Sequence, residues 1–103
     1  MNNILILGGS GFIGYSLYKE LNPFFKTFGT YYSNNKFKKN KQFFKYNLEK
    51  NDLEKLVTKI KPKIIISSLR GPFESQIILH NLLINYSKKF NFKLIFLSSS
   101  NVF

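Results

Sequence analysis

The sequence predicts an α/β protein, a doubly wound parallel sheet with strand order 3-2-1-4-5. Two observations carry that expectation. Residues 4–7 and 64–66 are short unbroken apolar runs, as suits strands buried on both faces of a parallel sheet. Between such runs lie segments whose apolar residues recur at helical spacing, the crossovers that parallel neighbours require. Crossovers of one hand dominate, which leaves few ways to order the strands.

Each element follows in turn. Residues 4–7, Ile-Leu-Ile-Leu, run into glycines and read as the central strand. From Phe12 to Leu21 the positions Ile13, Leu17 and Leu21 share a helical face, and Pro23 ends the pattern. Residues 27–32 are rich in aromatics and Thr and read as a second strand, followed by a polar, basic loop over 33–41 and a short third strand over 43–46. Asn51 then caps a helix, with Glu54 completing a capping box and Asp52 at the positive dipole end. That helix carries Leu53, Leu56, Val57 and Ile60 and stops before Pro62, after which Ile64, Ile65 and Ile66 form a fourth strand. Over residues 74–90 a third helix lines up Leu79, Leu82, Leu83, Tyr86 and Phe90, and residues 94–97 begin a fifth strand that ends in serines.

At 103 residues, with 44% hydrophobic and 17% aromatic residues, the chain suits one packed domain and no separate substrate domain. The absence of Cys excludes disulfides, thiolate metal sites and Cys nucleophiles, and His80 alone makes no histidine cluster. The amino terminus does not read as a secretory signal and no segment reaches membrane-spanning length, so the expected location is cytoplasmic, without a membrane partner. A net charge of +11 admits an anionic partner. Yet Lys, Asn, Ile, Phe and Tyr are abundant together, as A/T-rich codons would produce, and only Lys36, Lys38, Lys39 and Lys41 cluster tightly. Nucleic acid therefore ranks last among partners.

The chemistry concentrates in Gly8-Gly9-Ser10-Gly11-Phe12-Ile13-Gly14. This segment satisfies G-x-G-x-x-G from Gly9 and G-x-x-G-x-x-G from Gly8. Glycines there let the chain turn sharply, let backbone approach a pyrophosphate, and let helix pack on strand, while the helix amino terminus faces the anion. The context of strand, turn and helix gives the pattern its weight, and a purely structural tight turn is the alternative.

In these features the chain resembles the amino-terminal half of the extended short-chain dehydrogenases/reductases, the NAD(P)-dependent epimerase/dehydratase family. Supporting motifs are Asn47-Leu48 after the third strand, the Pro-led fourth strand with its loop over residues 62–71, and Ser98-Ser99-Ser100-Asn101-Val102-Phe103. Gly29-Thr30-Tyr31-Tyr32 and Val102-Phe103 are most similar to the dTDP-4-dehydrorhamnose reductase branch. The resemblance implies that Gly8, Gly11 and Gly14 hold the pyrophosphate, that Phe12 and Ile13 of the same turn also bind the cofactor, and that Asn47 and Leu48 lie against adenine. Asn47 replaces the family's Asp, and a plain turn residue is the equal alternative. Leu69 and Arg70 stand where the family places two small residues over the cofactor. Arg70, the chain's only arginine, either grips a phosphate or obstructs the site.

An NAD site wants an acid near the end of the second strand, but none occurs between Tyr31 and Lys41. Ser33 and Lys36 there accommodate a ribose phosphate, which favours NADP over NAD. The resemblance also gives Ser99 a catalytic role at the end of the fifth strand, beside a Tyr-x-x-x-Lys pair. Tyr15/Lys19, Tyr32/Lys36 and Tyr46/Lys50 match that spacing, but all precede the fourth strand and read as chance matches among six tyrosines and many lysines. The reading is thus a Rossmann-like NAD(P)-binding domain over residues 1–103, incomplete at its carboxyl end and lacking the substrate region. Its function would be cofactor binding within an oxidoreductase or epimerase acting on a nucleotide sugar, possible as a homodimer. A non-catalytic nucleotide-binding or regulatory module is the alternative.

Overall fold

The computed structural model describes residues 3–9, 11–31, 39–45, 53–68 and 73–97. Along these residues the order is β1 (Asn3–Leu7), α1 (Phe12–Leu21), β2 (Lys26–Tyr31), β3 (Phe43–Lys45), α2 (Leu53–Ile60), β4 (Ile64–Ser67), α3 (Phe73–Phe90) and β5 (Lys93–Phe96). The strands form one sheet in the order β3-β2-β1-β4-β5, and every pairing is parallel. This is the predicted Rossmann-like topology. Strand boundaries shift by about one residue, as pairing register rather than composition sets them; β2, for instance, starts at Lys26 because Lys26 pairs with Asn3.

The period of two divides the sheet's residues between two cores. Leu5, Leu7 and Ile65 point to one face, where they pack with Leu53, Leu56, Val57 and Ile60 of α2 and Leu79 and Leu83 of α3. Ile4, Ile6 and Ile66 point to the other face, against Tyr18 of α1 and Phe43 of β3. Leu5, Ile6 and Leu7 are fully buried, and each such side chain stabilises the fold by about 1.5–3 kcal/mol. On the α1 side of β5 the cover runs out, and Ile95 and Leu97 remain exposed.

Local chemistry ends each helix where expected. The Asn22 N–H bonds the Tyr18 carbonyl just before Pro23. Lys61, which precedes Pro62, turns to φ 52° and its N–H bonds the Val57 carbonyl, the left-handed close that ends many helices. Asn91, at φ 58°, closes α3, a conformation Asn tolerates better than most residues.

One expectation changes in detail. The buried face of α1 centres on Gly14 and Tyr18, while Ile13 lies on its exposed margin. The missing side chain at Gly14 lets the helix settle on its glycine edge, which an apolar count does not reveal. Both carboxylate oxygens of Glu54 reach α3, accepting from the Tyr86 hydroxyl at 3.3 Å and the Lys89 ammonium at 3.4 Å. Asn51 and Asp52, the rest of the expected cap, lie outside the described residues.

Candidate functional site

The two faces of the sheet acquire their helices in opposite directions at β1 and β4. The chain leaves β1 for α1 on one face and leaves β4 for α3 on the other. Between the carboxyl ends of these neighbouring strands is the switch point where doubly wound sheets hold ligands. The glycine turn lies there.

Its glycines have different reasons to be glycine. Gly8 has φ 82°, a left-handed conformation that side chains rarely adopt. A Cβ on Gly9 would stand 2.9 Å from the Gly29 Cα of β2, so this residue lets the turn pass over the neighbouring strand. A Cβ on Gly14 would meet the Gly8 carbonyl oxygen at 2.2 Å and the Ser68 hydroxyl at 2.8 Å. Gly11 differs. Its φ is −75°, open to any residue, and among the described residues a Cβ there would meet only the Gly8 carbonyl oxygen, at an ordinary contact distance of 3.4 Å. Conformation or packing therefore requires three of these glycines, while a Cβ on the fourth, at the head of α1, would make only an ordinary contact among the described residues.

Gly11 is also the N-cap of α1, and among the described residues no side chain caps the helix. The Gly11 N–H bonds the Gly8 carbonyl at 3.0 Å, closing the turn, and the Gly11 carbonyl accepts from Tyr15 at 2.8 Å. An uncapped first turn has backbone N–H groups to offer an anion, with the helix dipole aligned to favour it. The first turn carries no acidic residue. Phe12, 92% exposed, and the partly exposed Ile13 flank this head.

Of the residues expected from sequence to form a site, the structure brings together Gly8, Gly11, Phe12, Ile13 and Gly14. Ser33, Lys36, Asn47, Leu48, Leu69, Arg70 and Ser99 lie outside the described residues. Two polar side chains at the turn escaped the sequence reading. Thr30 of β2, 1% exposed, accepts the Gly8 N–H at 2.8 Å. Ser68, just beyond β4, donates to the Leu7 carbonyl at 2.9 Å and the Gly8 carbonyl at 3.3 Å. The only available signal was a hydroxyl residue at a strand end, which is common in turns.

Elsewhere the described residues offer less. A cavity of about 460 Å³ lined by Val57, Lys61, Pro62, Lys63 and Phe90 opens at the amino-terminal end of β4, opposite the glycine turn. No group of three or more His, Asp or Glu side chains is placed to hold a metal among the described residues. His80 packs its ring on Phe96, centroids 3.9 Å apart. None of the described helices is long and apolar enough to cross a membrane.

No protein-family model matches the chain, and no curated protein matches it. Solved structures do. The dTDP-glucose 4,6-dehydratase of Bacillus anthracis, solved in complex with NAD, superposes with a TM-score of 0.74 at 20% identity, over 100% of this chain and 42% of that one. The L-threonine 3-dehydrogenase of Trypanosoma brucei gives 0.71 at 20% identity over 93% and 36%. The UDP-N-acetylglucosamine 4-epimerase of Bacillus cereus gives 0.69 at 16% identity over 99% and 44%. These structural neighbours are short-chain dehydrogenase/reductase-type epimerases, dehydratases and dehydrogenases. At such identities the likeness establishes the fold. The chain spans about two fifths of the length of the solved structures it matches.

Proposed function

We propose that residues 1–103 form the nicotinamide-dinucleotide-binding domain of an oxidoreductase or epimerase of the short-chain dehydrogenase/reductase class, acting on a nucleotide sugar. The observation that carries this reading is Gly11: a glycine that neither conformation nor packing requires, at the uncapped head of a helix at the switch point. Backbone there is open to close approach by a pyrophosphate, so the residues present fit the group. Two of the structural neighbours named above are nucleotide-sugar enzymes, and one was solved with NAD, which supports the same reading.

In this reading Gly8, Gly11, Phe12, Ile13 and Gly14 hold the pyrophosphate through backbone and helix dipole. Asn47 and Leu48 border the adenine, Leu69 and Arg70 border the cofactor from the loop after β4, and Ser33 and Lys36 receive the ribose phosphate of NADP. Ser99 orients the substrate oxygen. The bound nicotinamide supplies or accepts a hydride.

Isothermal titration of NADPH and NADH into the purified chain tests the reading. Saturable heat at micromolar to millimolar cofactor is expected. The absence of heat for both at millimolar concentration overturns it.

A further inference from the structure

Gly8 is held at both ends of its peptide. Its N–H donates to Thr30 Oγ1 at 2.8 Å, and its carbonyl accepts from Gly11 N–H at 3.0 Å and from Ser68 Oγ at 3.3 Å. Ser68 is anchored in turn, since its N–H donates to the Leu7 carbonyl at 2.9 Å and its single hydroxyl proton is shared between the Leu7 carbonyl at 2.9 Å and the Gly8 carbonyl at 3.3 Å. Thr30 follows β2 residues that pair with β1 on one side, and Ser68 follows β4, which pairs with β1 on the other. The two hydroxyls thus reach the turn from both neighbouring strands.

We propose that Thr30 and Ser68 are positioning residues that clasp Gly8 between them and so preorganise the glycine turn for its dinucleotide, an inference that rests on the reading above. Glycine at φ 82° has wide freedom when released. A loosened Gly8 carbonyl would also release the Gly11 N–H bonded to it, and with it the head of α1. Ordering that turn would then have to come out of the binding free energy. The clasp completes the ordering in advance.

The test compares Thr30→Val, Thr30→Ser and Ser68→Ala with the unmodified chain by amide hydrogen exchange at Gly8 and Gly11 and by titration with NADPH. Thr30→Val alters a fully buried side chain, leaves the half-buried Gly8 N–H without its acceptor and risks general loosening, so Ser68→Ala, at a half-buried site, is the cleaner probe. Each of these two should speed exchange at Gly8 and Gly11, and weaken NADPH binding, roughly fivefold to tenfold, about the worth of one net hydrogen bond. Exchange in the core strands should stay as it was. Thr30→Ser, which keeps the hydroxyl, should restore both readouts. Unchanged exchange at the two glycines overturns the clasp, and faster exchange with unchanged affinity overturns its positioning role. If the unmodified chain binds neither NADPH nor NADH, the dinucleotide reading fails and the role in binding fails with it. The exchange rates still decide separately whether the two hydroxyls hold the turn.

Discussion

A Cβ built on Gly14 stands 2.2 Å from the carbonyl oxygen of Gly8, whereas one built on Gly11 approaches the same oxygen no closer than 3.4 Å. The obstacle at Gly14 is backbone, which cannot rotate away. Gly14→Ala should therefore push α1 off the turn and destabilise the chain by about 2 kcal/mol or more, lowering the thermal midpoint and cofactor affinity together. Gly11→Ser should separate the two. Serine is a preferred N-cap, so stability should hold or rise by about 0.5 kcal/mol, while its side chain blocks the approach and its hydroxyl takes a helix N–H. Calorimetry with NADPH titration should show the midpoint kept and affinity reduced at least about tenfold. Retained affinity in Gly11→Ser would remove the main support for the dinucleotide site.

The glycine turn was legible from sequence because its logic is local: strand, glycines and helix follow one another within residues 4–21. The clasp was not. Thr30 lies 22 residues from Gly8, and Ser68 lies 60. Only the parallel register, with Ile6 beside Gly29 and Leu7 beside Ser67, brings them to the turn. Helices with strong apolar spacing, such as α2, were placed closely because Leu53, Leu56, Val57 and Ile60 all enter one core. On α1, Leu17 and Leu21 pack on the core as their spacing implies, while Ile13 is exposed and Gly14, which carries no hydrophobic signal, is buried beside Tyr18.

A second packing relationship joins Gly29 to Phe43. A Cβ on Gly29 would meet the Phe43 ring at 2.6 Å, and that ring also sits edge-on to Tyr18, centroids 4.7 Å apart. Gly29→Ala should cost about 1–3 kcal/mol by overpacking. In the Phe43→Leu background the smaller side chain should give way, and the same change should cost less by about 1 kcal/mol. Denaturant midpoints of the four proteins measure this coupling, and simple additivity would show that the contact relaxes without cost.

The Tyr86 hydroxyl should report its surroundings at alkaline pH. Desolvation first, and then the Glu54 carboxylate beside it, raise the Tyr86 pKa above 10.0. Between the unfolded and folded values the native state holds the extra proton, so stability is fully present below about pH 10 and falls as pH rises through the folded pKa. Lys89, also paired with Glu54, lowers the pKa and so opposes the shift. In urea unfolding from pH 8 to 11, the unmodified chain should lose stability more steeply above pH 10 than Tyr86→Phe. Parallel curves would remove Tyr86 from the alkaline response.

Cofactor choice should follow the end of β2. No acid occurs between Tyr31 and Lys41, so nothing there repels a ribose phosphate. NADPH should bind more tightly than NADH by about fivefold, the scale of one partly screened ion pair, with the margin shrinking as salt rises. Lys36→Glu should reverse the order by placing an acceptor for ribose hydroxyls beside a charge that repels phosphate. Equal affinities before and after that substitution would dissociate Lys36 from the choice.

The last expectation concerns turnover: the 103-residue chain should bind NADPH yet oxidise none of it with a nucleotide-sugar ketone. Hydride transfer needs substrate held against the nicotinamide and a proton donor of suitable pKa in reach. The one Tyr-x-x-x-Lys match within the described residues is Tyr15/Lys19, and its geometry is that of packing. The Lys19 ammonium sits over the Tyr15 ring, 5.0 Å from its centroid, while that ring stacks on Tyr18 at 6.0 Å and tilts against Phe43 at 6.4 Å. The pair thus belongs to the contact between α1 and β3. The decisive measurement is NADPH absorbance with enzyme and ketone over hours, with Tyr15→Phe, Tyr32→Phe and Tyr46→Phe in parallel. Oxidation that any one of these substitutions abolishes would show that a tyrosine of this chain moves the proton, and the chance-match reading of all three pairs would fall.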